Sequence, residues 1–208
     1  MKAVALSEAR SELVRGRVLE GVAALLGRGE ALTFAAVAAA AGIPERTVYR
    51  YFPTREALLG ALYEWANARV GTDGDRPGDA ESFTRFVRQT FTGFDALAPV
   101  VRELLIAPEG RLARLAQNPE RQRAALGIVR QEAPRLDPPS ARRLAAVLQL
   151  LTAAAAWQNF RDYWGMDGAE AAETSVLAAE LLLEAARARA GRRPLARRKK
   201  AARRSTEV

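Results

Sequence analysis

The sequence contains no cysteine and no histidine. The first absence excludes disulfides, thiolate metal sites and cysteine nucleophiles. The second excludes imidazole ligands, Ser-His relays and the one side chain whose ordinary pKa lies near neutrality. Sites built only from carboxylates stay open, yet Glu103, Glu109 and Asp162 form no paired, metal-like or nucleophile–base pattern with other residues. No catalytic residue, metal site or cofactor is therefore expected, and an enzyme on a helical scaffold is the weaker alternative. No apolar run approaches the roughly 18 residues that a membrane-spanning helix needs. Residues 1–17 carry charges instead of the apolar stretch of a signal peptide. The expected location is the cytoplasm, with no membrane partner.

Alanine and leucine dominate what is present, β-branched residues are sparse, and neither strand-like alternation nor an internal repeat is visible. Helix propensity leads throughout. The net charge of +8 is uneven. Residues 1–70 hold nine basic and seven acidic side chains, residues 71–186 hold thirteen and sixteen, and residues 187–208 hold ten and one. The high isoelectric point is thus a property of the tail and says little about the body.

Read along the chain, a first helix is predicted over 7–27, with Leu13, Arg17, Leu19, Val22, Ala23 and Leu26 as its stripe. Thr33 is placed to cap a short second helix, and Gly42 breaks it at a position suited to positive φ. Pro44 suits the first turn of a third helix running to about 52, and Pro53 stops that helix. Thr54 caps a fourth, with Ala57, Leu58, Ala61, Leu62, Trp65 and Ala66 on its inner face. The breaker-rich stretch 71–79 reads as a loop. Short helices follow over 99–106, 109–117 and 119–133, then long ones over 140–164 and 169–190. The fold class is all-α: an N-terminal three-helix domain with a helix-turn-helix (7–67), a helical second domain (80–190) and a basic, disordered tail (191–208).

The informative stretch is 33–55, TFAAVAAAAGIPERTVYRYFPTR, with the helix-turn-helix at about 33–52. In such a pair the second helix lies in the major groove. Here Ile43, Val48 and Phe52 are able to pack inward, leaving Glu45, Arg46, Thr47, Tyr49, Arg50 and Tyr51 outward or at the edges. The order Ala41-Gly42-Ile43, Thr47-Val48-Tyr49-Arg50-Tyr51-Phe52 and Arg55-Glu56-Ala57-Leu58-Leu59 resembles the TetR family of bacterial transcription regulators over about residues 10–65. Two departures stand out: Arg55 occupies a slot that is usually Lys, and Pro44 one that is often Ser. The resemblance implies phosphate contacts by Thr33, Thr47, Tyr49, Tyr51 and Arg55. It leaves Glu45, Arg46 and Arg50 for base edges, where Arg reads guanine and Glu accepts from cytosine. The plainer alternatives are packing roles for Tyr49 and Tyr51 and a solvated charge at Arg50.

The same resemblance implies a homodimer on double-stranded operator DNA, repression as the commoner behaviour, and release by an unidentified small-molecule effector. The helices at 140–164 (Leu144, Val147, Leu148, Leu151, Ala155) and 169–190 (Ala172, Val176, Ala179, Leu183, Ala186, with Leu177 and Leu181 alongside) are expected to form the dimer interface, unless both stripes pack inside one subunit. Phe86, Phe91, Phe94, Trp157 and Phe160 are candidates to line an effector pocket, with Gln158 (or Asn159) orienting the ligand; ordinary core is the alternative. The tail either adds sequence-independent DNA affinity or is merely solvated. A nucleic-acid or membrane-surface protein acting through that tail alone would leave the ordered 33–55 stretch unexplained.

Overall fold

The computed structural model describes residues 2–72, 74 and 76–191. Beyond residue 191 the predicted tail lies outside the described residues. Eleven helices follow in order: α1 (Lys2–Gly27), α2 (Phe34–Ala41), α3 (Glu45–Tyr51), α4 (Arg55–Val70), α5 (Ala80–Ala96), α6 (Ala98–Ile106), α7 (Pro108–Ala116), α8 (Asn118–Glu132), α9 (Pro138–Leu151), α10 (Ala154–Trp164) and α11 (Gly168–Gly191). No strand occurs among the described residues. Proline starts or nearly starts α6, α7, α8 and α9, where its missing N–H has no partner to lose. Asp79 caps α5 reciprocally with Ser82, and Asp137 caps α9. Hydrogen bonds from Ser82 and Ser140 hold these two carboxyls below the ordinary aspartate range. Their help is therefore present at neutral pH and is lost as acid protonates them.

Two hydrophobic cores share one helix. The first gathers Val18, Val22 and Leu25 of α1, Val37 of α2, Val48 and Phe52 around α3, and Leu58, Leu59 and Leu62 of α4, and it is closed by Val100 and Leu104 of α6. The second joins Phe83, Val87 and Phe91 of α5 to Ile128, Leu148, Trp157 and the α11 face, and includes Val101 of α6. Adjacent α6 residues thus face different cores. The 7–67 segment does not bury its apolar surface alone.

The structure corrects several expectations. The helix predicted over 140–164 is two helices. Thr152 donates its hydroxyl to the Gln149 carbonyl at 2.9 Å, and Ala153 turns extended at ψ 146°. A hydroxyl competing for a last-turn carbonyl is a known way to end a helix. Leu13 is 75% exposed, because the buried α1 stripe runs through Val18, Val22 and Leu25. At roughly 100° per residue, Leu13 points about 140° away from it. The α11 stripe Ala172, Val176, Ala179, Leu183 and Ala186 is core of its own subunit, while Leu177 and Leu181 are 57% and 58% exposed. Pro44 precedes α3 as its cap residue instead of forming its first turn.

Asp95, near the end of α5, ties the second core together. Its Oδ1 accepts from Trp157 Nε1 at 2.9 Å and from Arg161 Nη1 at 2.6 Å. Its Oδ2 accepts from the Gly168 amide at 2.5 Å, at the start of α11. One carboxylate therefore joins α5, α10 and α11. Replacing Asp95 by Ala leaves an indole N–H and a helix-start amide without partners and should cost about 2–4 kcal/mol. Urea denaturation of wild type and Asp95→Ala checks this, and an unchanged midpoint would refute it.

Candidate nucleic-acid interface

The α2–α3 unit is built from local rules. The Thr33 hydroxyl accepts from the Ala36 amide at 3.1 Å and so caps α2. Gly42 ends α2 at φ 62°, and the Ile43 amide returns to the Ala38 carbonyl at 3.1 Å. This paired closure favours glycine because the left-handed backbone penalises a Cβ. A second glycine sets the distance to α1: a Cβ on Gly21 would lie 2.9 Å from the Ala41 backbone nitrogen.

Helix α3 has one buried side and one open side. Val48 and Phe52 are fully buried, and Ile43 packs against the same core. Glu45, Arg46, Tyr49 and Arg50 are exposed, whereas Thr47 and Tyr51 are half-buried. Tyr49 stacks on Phe34 of α2, with ring centroids 4.4 Å apart and planes 5° apart. That stacking fixes the ring while leaving 47% of the residue open, so a packing role and an outward hydroxyl coexist. The Arg50 guanidinium lies 5.1 Å over the Tyr51 ring. Thr33 is exposed at the start of α2; its capping oxygen accepts a hydrogen bond and still has its O–H to donate.

Arg15 of α1 escaped the sequence reading. It donates to the Tyr51 carbonyl at 3.4 Å and lies 4.7 Å over the Phe52 ring, so it holds the end of α3. A single arginine in an amphipathic helix carries no sequence signal for such a role.

Arg55, expected as a phosphate contact, is held by groups of its own chain while 40% of its side chain stays exposed. Its Nη1 donates to the Leu32 carbonyl at 3.0 Å and its Nη2 to Glu103 Oε1 at 2.6 Å, with Glu109 Oε1 3.7 Å from Nε. The group thus links the start of α4 to α6 and α7. Its partners lie 23, 48 and 54 residues away in sequence, too far for local pattern to reveal them.

A second concave site lies between α4 and the helices of the C-terminal body. It is a cavity of about 360 Å³ whose wall includes Tyr63, Ala66 and Val70 of α4. Of the sequence candidates, Phe86 and Phe94 line it. Trp157, Phe91, Phe160 and Gln158 are not in its wall. Trp157 is committed to Asp95, while Phe91 and Phe160 fill the second core. The sequence reading missed Tyr63, Thr90 and four arginines that also line the cavity: Arg76, Arg111, Arg114 and Arg121. Among the described residues, no three acidic side chains gather as a metal set. Also among them, no helix is long and apolar enough to cross a membrane.

The Gly21–Ala41 approach offers a direct test of how tightly the unit is built. Gly21→Ala gains up to about 1 kcal/mol of helix propensity. Forcing a methyl onto a rigid backbone costs about 1–3 kcal/mol, so net destabilisation is expected. Thermal unfolding reads the sign, and a raised midpoint would contradict the close packing.

The model of the family described as bacterial regulatory proteins, tetR family, matches residues 28–62. The match spans α2, α3 and the first half of α4, the segment whose geometry is given above. No curated protein matches the chain. With an all-helical body behind that helix pair, the match supports membership of the tetR family and a DNA-binding, transcription-regulating role for the chain.

Proposed function

We propose that the chain is a homodimeric repressor that reads a palindromic operator with two copies of α3 and leaves it when a small molecule fills the cavity. The observation that carries this reading is the two-sided character of α3. Its apolar side is locked by α1, α2 and α4, while Glu45, Arg46, Tyr49 and Arg50 stay open. In this reading Arg46 and Arg50 reach guanine edges and Glu45 a cytosine amine. Thr33, Thr47, Tyr49 and Tyr51 meet phosphates and fix the register. Arg55 acts from behind, as a bridge to α6 and α7. The repressor role follows the family resemblance.

Two recognition helices must sit about 34 Å apart, one turn of DNA. Support for a two-fold pairing comes from the apolar side chains left open on α9 and α11: Val147 and Leu150 on the first, Leu177 and Leu181 on the second. Effector control has a short path in this fold. Helix α4 begins just after α3 and ends in the cavity wall, and the Arg55–Glu103 pair joins its first turn to α6, which also lines the cavity. A ligand that alters the spacing of α4 and α6 shifts α3 by its differential affinity for the two arrangements, and no further.

Selection of bound sequences from a random DNA pool by the purified full chain tests the core claim. A palindrome is expected; recovery of unselected sequence would refute it. On the selected site, Arg50→Ala should weaken binding by roughly tenfold or more, the range of one lost bidentate base contact, with a far smaller loss on random DNA. Equal losses on both would assign Arg50 to the backbone. Leu177→Glu with Leu181→Glu should yield a monomer in analytical ultracentrifugation and abolish operator binding. A dimer that persists would move the interface elsewhere.

A further inference from the structure

We infer that the effector is an amphipathic anion: a carboxylate or comparable acid on an apolar body. This rests on reading the cavity as an effector site, and it adds the ligand's charge and shape. Four arginines line the cavity, and among the described residues no aspartate or glutamate does. None of the four is within 4 Å of a carboxylate oxygen among those residues.

What these cations touch is neutral. Arg76 donates to Gln117 Oε1 at 3.1 Å, which also accepts from the Tyr63 hydroxyl at 3.2 Å. Arg121 donates to that same Tyr63 hydroxyl. Arg114 donates to the Leu104 carbonyl at the end of α6. The acids on the neighbouring helices act on these cations only at a distance: Glu64 reaches them through Gln117, from which it accepts at 3.2 Å, and Glu120, 4.0 Å from Arg123, favours the Arg76 charge through space without contact. Burial holds the Arg76 and Arg114 guanidinium groups below their ordinary range, and the positive charge of Arg121 pushes both further down. Desolvated like charges raise the energy of the empty site, and an anion between them would relieve it.

The rest of the wall suits a hydrocarbon. Phe83, Phe86, Phe94, Leu104, Ile128 and Leu148 supply apolar surface. The neutral polar groups of Asn67, Thr72, Asn118, Gln149 and Thr152 share that wall, as does Thr90, which is 2% exposed. The volume of about 360 Å³ lies near the lower end of the roughly 300–1,000 Å³ found for small-molecule sites. A compact acid fits this space.

Isothermal titration of the full chain with octanoate and with octan-1-ol tests this, because the two differ only in the head group. Octanoate should bind one equivalent per subunit, about tenfold or more tighter than the alcohol, as a charge-assisted guanidinium contact implies. The Arg76→Gln/Arg121→Gln double variant removes like charges that repel each other, so it should fold; circular dichroism verifies this. It should lose the preference for octanoate while its affinity for octanol stays unchanged. Equal binding of both probes to the wild-type chain would overturn the anion preference and leave the effector site standing. Binding of neither would overturn both.

Discussion

Helix α6 is short, yet neither half of the molecule closes without it. Val100 and Leu104 complete the core behind the recognition helix, and Val101 belongs to the core of the C-terminal body. Close-packed interiors are stiff and transmit displacement. A helix embedded in two of them cannot move in one without disturbing the other. Its polar edge repeats the arrangement, since Glu103 holds Arg55 at the root of α4. The DNA-reading unit is therefore continuous with the body that would sense a ligand.

Much of this was legible in the residues, for reasons that differ by element. The α2–α3 pair was legible because its determinants are local: a threonine cap, a glycine in the left-handed region and a proline stop, each acting within a few residues. Prolines at helix starts marked α6 to α9 for the same reason. The break between α9 and α10 was missed because no glycine or proline marks it; a threonine hydroxyl and a two-residue turn do the work. The face of α11 was misassigned because a helix apolar over a wide arc does not say which part of the arc meets its own subunit.

The sites followed the same division. The exposed side of α3 follows from helical period once Val48 and Phe52 are known to point inward. Arg55 and Arg15 were opaque because their partners are tertiary. The cavity was the least legible feature. Sequence drew attention to aromatic residues, of which Trp157 serves Asp95 and Phe91 the core. The informative signal was a set of cations spread over the 71–79 loop, α7 and α8. It becomes a pattern only when the fold brings those residues around Tyr63 and Gln117.

The brevity of α3 has a consequence for how the protein finds its target. Seven residues at about 1.5 Å each make a rod of roughly 10 Å, against about 3.4 Å per step along DNA. A single copy therefore inspects only about three base pairs. A word that short recurs throughout any genome and cannot single out one promoter against about a million or more competing positions. In the proposed dimer, discrimination would come from two short words held at a fixed separation, so the accuracy of addressing would depend on the rigidity of everything behind the helix. A small change in that separation would then be enough to erase the address without altering any residue that touches a base.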